Sequence, residues 1–208
     1  MTLLVLLPGV VASGQVAKAG GSYSMRLKLK QGQVLSYTVD SSTGAAGQTQ
    51  HFTMVRKWTV ISATASDYTL REELLDVKLN GQSTSLGNKG SNLQINAYGE
   101  TVSSAASPVS LGSPFPKRPV RLGEQWSMAI TQVGLRGVMS YKLTGFKNLR
   151  GRHAAVIKER FTSKAASVDG QGELLVDIAD GTILQSSLSL KVNYGNDTSV
   201  SRIVMKRV

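Results

Sequence analysis

Apolar and polar residues alternate along most of this chain with a period of two residues, rather than the 3.6 of a helix. Residues 34–39 and residues 138–147 show this alternation clearly. It is typical of strands that bury one face. Near the end, Ile183–Tyr194 alternates, the chain turns at residues 195–197, and residues 199–208 return with the same pattern. These two runs predict a long closing hairpin.

Other elements follow from the composition of short runs. Residues 25–30 alternate apolar and basic side chains and predict a half-buried strand, and residues 51–61 are β-branched and aromatic and predict another. Residues 41–48 are rich in Ser, Gly and Ala and predict a loop. Residues 68–79 fit a helical face as well as a strand, but the hairpin signal Asn80-Gly81 and the neighbouring strands favour a strand.

The strand pattern as a whole predicts the fold class. With roughly ten to twelve strands, frequent turns and no clear helix, we expect an all-β fold, a curved antiparallel sheet forming a half-barrel or a barrel. Three prolines between residues 114 and 119 exclude a helix or central strand there, so residues 105–119 should form an extended connector. The connector joins two β-rich halves, residues 25–104 and 120–208, within a single domain.

The two halves follow one pattern, in which a glycine turn precedes an alternating strand and two further strands. The corresponding segments are 32–39 with 123–130, 51–61 with 138–147, and 68–79 with 153–163. The matches are of pattern more than of identity. They predict an internal duplication, and the alternative is that antiparallel meanders resemble one another.

The first fourteen residues contain an apolar run at residues 3–12, followed by small residues that suit a signal peptidase. The run is too short to span a bilayer. No Lys or Arg precedes it, so a buried strand broken by Pro8-Gly9 is the alternative. We expect a signal peptide at residues 1–14, a flexible segment at residues 15–24, and a soluble protein exported to the periplasm or beyond.

Composition narrows the chemistry further. The 208 residues are 41% apolar, which is normal for a packed domain. Cysteine is absent, which excludes disulfides, thiolate metal sites, a cysteine nucleophile and a cysteine-linked lipid anchor. The net charge is +11, and residues 103–164 hold eleven Lys and Arg against two acidic residues. Such concentrated charge favours anionic partners.

A basic contact surface is the first candidate site. The turn at residues 148–152 should present its charges at a hairpin tip, and the connector adds others. The predicted members are Lys117, Arg118, Arg121, Lys147, Arg150 and Arg152. An acidic partner, a lipid head group or an acidic glycan would suit it, and the alternative is a solvated surface that prevents edge aggregation. Nucleic acid is disfavoured because only Phe146 lies beside these charges.

An apolar ligand cavity on the concave side of the sheet is the second candidate site. Its predicted members are Tyr37, Trp58, Trp126, Met128, Met139 and Phe146. A concave apolar face can hold an apolar ligand. The alternative is that the protein's own side chains fill it.

Catalytic and metal chemistry have the weakest signals. His51 and His153 lack the short spacing of metal ligands, and we expect both at the surface. A hydrolase with paired carboxylates depends on a separation that only the fold sets. We therefore predict no metal and no cofactor.

Three features carry a resemblance to known proteins: the apolar leader, the motif Pro-x-x-Pro-Val-x-x-Gly-Glu-x-Trp at residues 116–126, and the Asp-x-x-x-Gly-x-Ile run at residues 177–183. With them, most of residues 23–208 resembles uncharacterised exported bacterial β-sheet proteins of the domain-of-unknown-function type. More distantly, the chain is similar to lipoprotein-carrier half-barrels. That resemblance implies a concave sheet that holds acyl chains.

The leading functional prediction is a non-enzymatic exported binding or interaction domain with a basic contact face. One alternative is a carrier of a lipid or other apolar ligand on a concave sheet. The other is a hydrolase using carboxylate or histidine chemistry.

Overall fold

The computed structural model describes residues 16–45, 48–85, 88–104, 115–132, 135–163, 167–194 and 197–208. The expected signal peptide at residues 1–14 and the connector residues 105–114 lie outside these ranges. The described residues form strands and no helices, so the all-β prediction is confirmed. Nowhere in these ranges is there a helix with the length and hydropathy needed to cross a membrane.

The described part of the chain forms fifteen strands. They are β1 (Val16–Ala19), β2 (Ser22–Met25), β3 (Val34–Ala45), β4 (Gln48–Ala63), β5 (Asp67–Leu79), β6 (Gln82–Ser83), β7 (Asn88–Asn96), β8 (Thr101–Ser104), β9 (Val120–Arg121), β10 (Gln125–Gln132), β11 (Leu135–Leu149), β12 (Arg152–Ser163), β13 (Val168–Asp177), β14 (Ile183–Tyr194) and β15 (Asp197–Arg207).

One large antiparallel sheet organises the molecule. Its order is β10-β11-β12-β13-β14-β15-β3-β4-β5-β7-β8, with β6 added to β5. The second half of the chain thus forms one meander, the first half forms another, and β15 joins them by pairing with β3. Strands β10 and β8 are the two edges of the described sheet and do not pair with each other. The sheet is an open half-barrel and not a closed barrel.

The alternation seen in the sequence sorts side chains between the two faces of this sheet. In β12, Ile157, Glu159 and Phe161 are buried on the concave side, while Lys158 and Arg160 are exposed on the outer side. Because side chains alternate along a strand and cross-strand partners share a face, the registers assign each inward residue. The concave face is thus defined from β10 to β8.

Tight turns set the hairpins where the sequence signalled them. Asn80 and Gly81 have φ values of 50° and 81°, and they connect β5 to β6. Two successive residues with positive φ suit the twist of a hairpin, and Asn-Gly is the favoured pair. Asp67–Leu79 is therefore a strand, as the hairpin signal favoured.

Two local predictions were wrong. Residues 41–48 do not form a loop, because β3 continues to Ala45 and β4 begins at Gln48. Residues 25–30 are not a strand, because only Met25 belongs to one and residues 26–30 are irregular. Their alternation still predicts burial correctly, since Leu29 is buried and its neighbours are exposed.

Residues 26–30, which we call the strap, cross one end of the concave face. The Leu27 amide donates to the Ala97 carbonyl at 2.7 Å, beyond the end of β7, and the Lys28 amide donates to the Asp180 carbonyl at 2.9 Å, between β13 and β14. These partners belong to different meanders. The strap therefore ties the two halves together at the end of the sheet where β3 begins.

A small second sheet lies beside the strap. The segment at residues 15–24, expected to be flexible, contains the hairpin β1–β2, and β9 pairs with β2 through Tyr23 and Val120. Met25, Phe115 and Val120 pack with the buried side chains of the second meander. This end of the half-barrel, which we call the strapped end, is covered by the protein itself.

Candidate functional site: the concave face

The structure places all six predicted cavity residues on the concave face. Met128 lies opposite Met139, and Trp58 lies opposite Leu35, so each pair shares that face. Tyr37 meets the edge of Trp58 with ring centroids 5.5 Å apart. The six divide into two hydrophobic clusters, Tyr37 and Trp58 in the first and Trp126, Met128, Met139 and Phe146 in the second.

The strapped end of the concave face leaves little room for a ligand. Tyr37 and Trp58 border a cavity of about 60 Å³ that Leu27, Leu29 and Phe115 also line. This volume is too small for a lipid chain. Burial raises the pKa of Tyr37 above its usual range, so its phenol is neutral. Here the protein's own side chains fill the concave face.

The opposite end of the concave face, which we call the open end, remains half-buried. Its apolar side chains come from strands of both meanders and are only partly covered in the described structure. They are Phe52, Met54, Leu74, Met128, Ile130, Met139, Leu188, Leu190, Val192 and Ile203. Sequence reasoning found two of these ten, Met128 and Met139, as cavity residues. It missed Ile130, although Ile130 follows Met128 by two residues on β10, and the other seven belong to strands whose position in the sheet the sequence does not give.

A groove at the edge strand β10 opens beside this apolar face. It has a volume of about 440 Å³, and Trp126, Met128, Lys117 and Arg118 line it. Trp126 stacks on Tyr141 with centroids 5.8 Å apart. We call it the mouth groove, and in it the predicted apolar and basic residues meet.

The cations of the mouth groove are ion-paired. Lys117 Nζ lies 3.1 Å from Glu100 Oε1, and Arg118 pairs with Glu124. The Asn96 side-chain amide, with help from Lys117, holds the pKa of Glu100 below its usual value. Both carboxylates therefore offset much of the positive charge at this rim.

The other four predicted cations lie outside the mouth groove. Arg121 lies in β9, paired with β2. Lys147 binds Glu173 at 2.9 Å, and Arg152 binds Asp177 at 2.6 Å.

Arg150 and Arg152 line a separate groove of about 190 Å³, together with Lys206 and Arg207 from the end of β15. We call it the end groove. Lys206 and Arg207 were missed because they lie more than fifty residues further along the chain. Four of the six predicted basic residues thus line two separate grooves, and Arg121 and Lys147 line neither of them.

Both histidines are exposed and engaged with neighbours. His51 Nε2 lies 3.0 Å from Asp40 Oδ1, and His153 Nδ1 lies 2.8 Å from Asn148 Oδ1. Within the described ranges, no cluster of three His, Cys, Asp or Glu residues could hold a metal ion.

One buried carboxylate on the concave face is fully paired. Glu72 is 1% exposed, and its Oε1 accepts hydrogen bonds from Arg56 Nε at 2.6 Å and Trp58 Nε1 at 2.9 Å. A buried ion pair is tolerated only when its hydrogen bonds are satisfied in this way. Sequence reasoning missed Arg56. It lies at an inward-pointing position of β4, between Met54 and Trp58, and a charged residue at such a position indicates a buried ion pair.

A second buried carboxylate on the concave face, that of Glu159, has no ion pair among the described residues. Glu159 is 8% exposed and lies opposite Tyr141 on β11 and Gly172 on β13. Burial raises the pKa of Glu159 from 4.5 to about 7. The same burial, with Glu159 nearby, raises the pKa of Tyr141 above its usual range.

We expect Glu159 to make stability fall as pH rises. Because the pKa is raised in the folded state, the stabilising difference is fully present below pH 4.5 and is lost as pH rises through about 7. At roughly 1.4 kcal/mol per pH unit, the loss is about 3 kcal/mol. Urea denaturation between pH 4.5 and 8 should show this loss in the wild type and not in Glu159→Gln. An equal pH dependence in both proteins would contradict it, and Glu173→Gln, on the outer face of β13, is the matched control.

Comparisons with known proteins identify a shared fold. No family model and no curated protein matches this sequence. A structure of lipovitellin, described for its lipid–protein interactions, matches 87% of this chain with a TM-score of 0.54 and 11% identity. This chain spans 25% of that lipovitellin chain. A DUF1329 family protein from Desulfovibrio piger is 11% identical over 85% of each chain, with a TM-score of 0.26. The half-barrel is therefore similar in fold to part of lipovitellin.

Proposed function

We propose that this protein is a non-enzymatic carrier that binds the apolar chain of an amphipathic ligand, such as a lipid, at the open end of its concave face. The observation that carries the proposal is the set of ten half-buried apolar side chains there, shared by both meanders. Burying such side chains under a ligand chain is favourable by about 25 cal/mol for each Å² removed from water. The mouth groove beside Trp126 and Met128 is the route by which a chain reaches this face.

The fold supports a lipid as the ligand class. Lipovitellin, part of which is similar in fold to this chain, is described for its lipid–protein interactions. The present chain corresponds to a quarter of it. The proposal that this chain binds an apolar ligand therefore rests on the chain's own concave face. The similarity in fold is the reason to propose a lipid as the class of ligand.

Native mass spectrometry of the protein purified from its source tests the proposal. We expect an additional mass of a few hundred daltons at one copy per protein, and an organic extract should contain an amphipathic molecule with an alkyl or acyl chain. An apo protein that also fails to take up added long-chain amphiphiles would overturn the proposal.

The end groove favours a second role, contact with an anionic membrane surface. Arg150 is exposed at a hairpin tip, and Lys206 is exposed beside it, in the groove that also holds Arg152 and Arg207. Clustered exposed cations attract anionic lipid surfaces by about 1 kcal/mol each. This contact surface is narrower than the one predicted from sequence, because it excludes Lys117, Arg118, Arg121 and Lys147.

Removing two charges from the end groove should weaken membrane contact. We expect Arg150→Ala with Lys206→Ala to lower binding to vesicles of anionic lipid roughly tenfold or more at low salt. The matched control removes two exposed cations elsewhere, Lys158 and Lys191. Equal losses in the two double variants would show that only the net charge matters and would contradict a local contact surface.

We also propose that the mature protein is exported, because the apolar run at residues 3–12 is followed by small residues. N-terminal sequencing of protein from the cell envelope should find that the chain begins near residue 15, after the expected signal peptide at residues 1–14. A chain that retains Met1 would contradict export by signal cleavage.

A further inference from the structure

The two meanders have the same local geometry at corresponding places. The Gly32 amide donates to the Val60 carbonyl at 2.8 Å, and the Gly123 amide donates to the Leu143 carbonyl at 2.7 Å. In each meander the register shifts directly after that acceptor, after Val60 in β4 and after Leu143 in β11. These shared features align the second meander with the first, residue by residue.

Under this alignment, Glu159 corresponds to Glu72. Two residues before Val60 is Trp58, which lies opposite Glu72, and two residues before Leu143 is Tyr141, which lies opposite Glu159. Arg56, two residues before Trp58, corresponds in the same way to Met139, two residues before Tyr141. Both glutamates therefore lie at one position of a repeated concave surface.

The partners of the two glutamates differ. Glu72 accepts hydrogen bonds from Arg56 and Trp58. At the corresponding positions, Met139 has no donor, and the Tyr141 hydroxyl is directed to the Met128 sulfur at 3.8 Å. In the described part of the chain, Glu159 has no hydrogen bond and no ion pair, although more than nine-tenths of its surface is buried.

The backbone beneath Glu159 is shaped around its carboxyl group. Gly172 lies directly across on β13, and a Cβ atom there would fall 2.5 Å from Glu159 Oε1. The carboxyl group thus lies above a residue with no side chain. Further along the concave side of β12, the buried Ser163 hydroxyl also has no hydrogen-bond partner among the described residues. Ser163 Oγ is fully buried, whereas the Glu159 carboxyl group keeps a small exposed surface through which a ligand can reach it.

We propose that Glu159 binds the protonated amine of an amphipathic ligand, whose alkyl chain lies on the neighbouring side chains of the open end. The inference rests on the proposed function and adds the chemistry of the ligand's polar group. In the first meander the corresponding carboxylate is held by a guanidinium, so a cation is the group that satisfies this position. Met128 and Met139, which are half-buried and lie opposite each other, give the adjoining alkyl chain an apolar surface.

Few titratable groups face Glu159. From β11 it faces Tyr141, from β13 it faces Gly172, and on its own strand Ile157 and Phe161 flank it. Tyr141 stays neutral, since its pKa is raised. An alkylamine stays protonated up to about pH 10, so proton uptake by Glu159 alone should govern binding between pH 5 and 8.

Titration calorimetry with dodecylamine, dodecanol and dodecanoate, each below its micelle concentration, tests the inference. At pH 8 we expect dodecylamine to bind at least tenfold more tightly than dodecanol, and dodecanoate more weakly than both. Because the pKa of Glu159 in the ligand-free protein is about 7, dodecylamine affinity should fall toward that of dodecanol, by at least tenfold, from pH 8 to pH 5.

Glu159→Gln should remove both the preference for the amine over dodecanol and the pH dependence of amine binding. Glu173→Gln, on the outer face, should behave like the wild type. If dodecanol and dodecylamine bind equally in the wild type, the inference is overturned and the proposed carrier function stands. If none of the three chains binds, the proposed function fails with it.

Discussion

Replacing Arg56 with methionine is expected to destabilise the protein by about 3–5 kcal/mol, the usual cost of removing one partner of a buried ion pair. Glu72 is 1% exposed, and Arg56 Nε, 2.6 Å away, is its only cationic partner in the described structure. Without it, one hydrogen bond from Trp58 remains to compensate a buried charge. Methionine is chosen because Met139 occupies the corresponding position in the second meander.

Urea denaturation at pH 7 measures this cost. The double variant Arg56→Met with Glu72→Gln is the control, since it removes the charge together with its partner, and we expect it to recover most of the stability. A loss below about 1 kcal/mol in the single variant would mean that Glu72 is not buried as a carboxylate, and that Arg56 packs mainly through its stem against Trp58.

Placing a charge on the open end of the concave face should abolish most ligand binding. We expect Met128→Asp to lower the affinity for an uncharged alkyl chain by roughly 10- to 100-fold, because the bound chain would have to desolvate the new carboxylate. Met128 is half-buried and lines the mouth groove beside Trp126. Fluorescence titration with a long-chain alcohol measures the change.

Ala129→Asp is the matched control. Ala129 is exposed and follows Met128 on the same edge strand, so its side chain points to the outer face. The affinity of Ala129→Asp for the long-chain alcohol should stay within about twofold of the wild type. Equal losses in both variants would indicate a general effect of edge charge, and no loss in either would place the ligand elsewhere.

Much of the fold could be predicted because alternation reports burial directly. The closing hairpin and the antiparallel sheet followed from it, although alternation did not decide between an open half-barrel and a closed barrel. The strand at residues 68–79 also needed the hairpin signal Asn80-Gly81. The same signal failed at residues 26–30, where side chains alternate but the backbone hydrogen bonds go to Ala97 and Asp180. Alternation predicts which side chains are buried, and it does not show what the backbone pairs with.

The site was only partly predictable, because it depends on which strands are neighbours. Lys206 lies beside Arg150 only because β14 and β15 follow β13 in the sheet. The difference between Glu72 and Glu159 depends on a cross-strand register that places Arg56 near one of them and Met139 near the other. The internal duplication stays a prediction, and the repeated turn geometry is the observation that favours it.

The most direct test of the concave face as a ligand site uses the intrinsic fluorescence of Trp126. The chain has two tryptophans, so Trp58→Phe leaves Trp126 alone, and Arg56 still pairs with Glu72. A dodecyl chain brominated near its middle is titrated into this variant. We predict saturable quenching at one chain per protein, weakened at least tenfold by adding Met128→Asp. Quenching that rises linearly without saturation, and equally in both variants, would contradict a ligand site on this face.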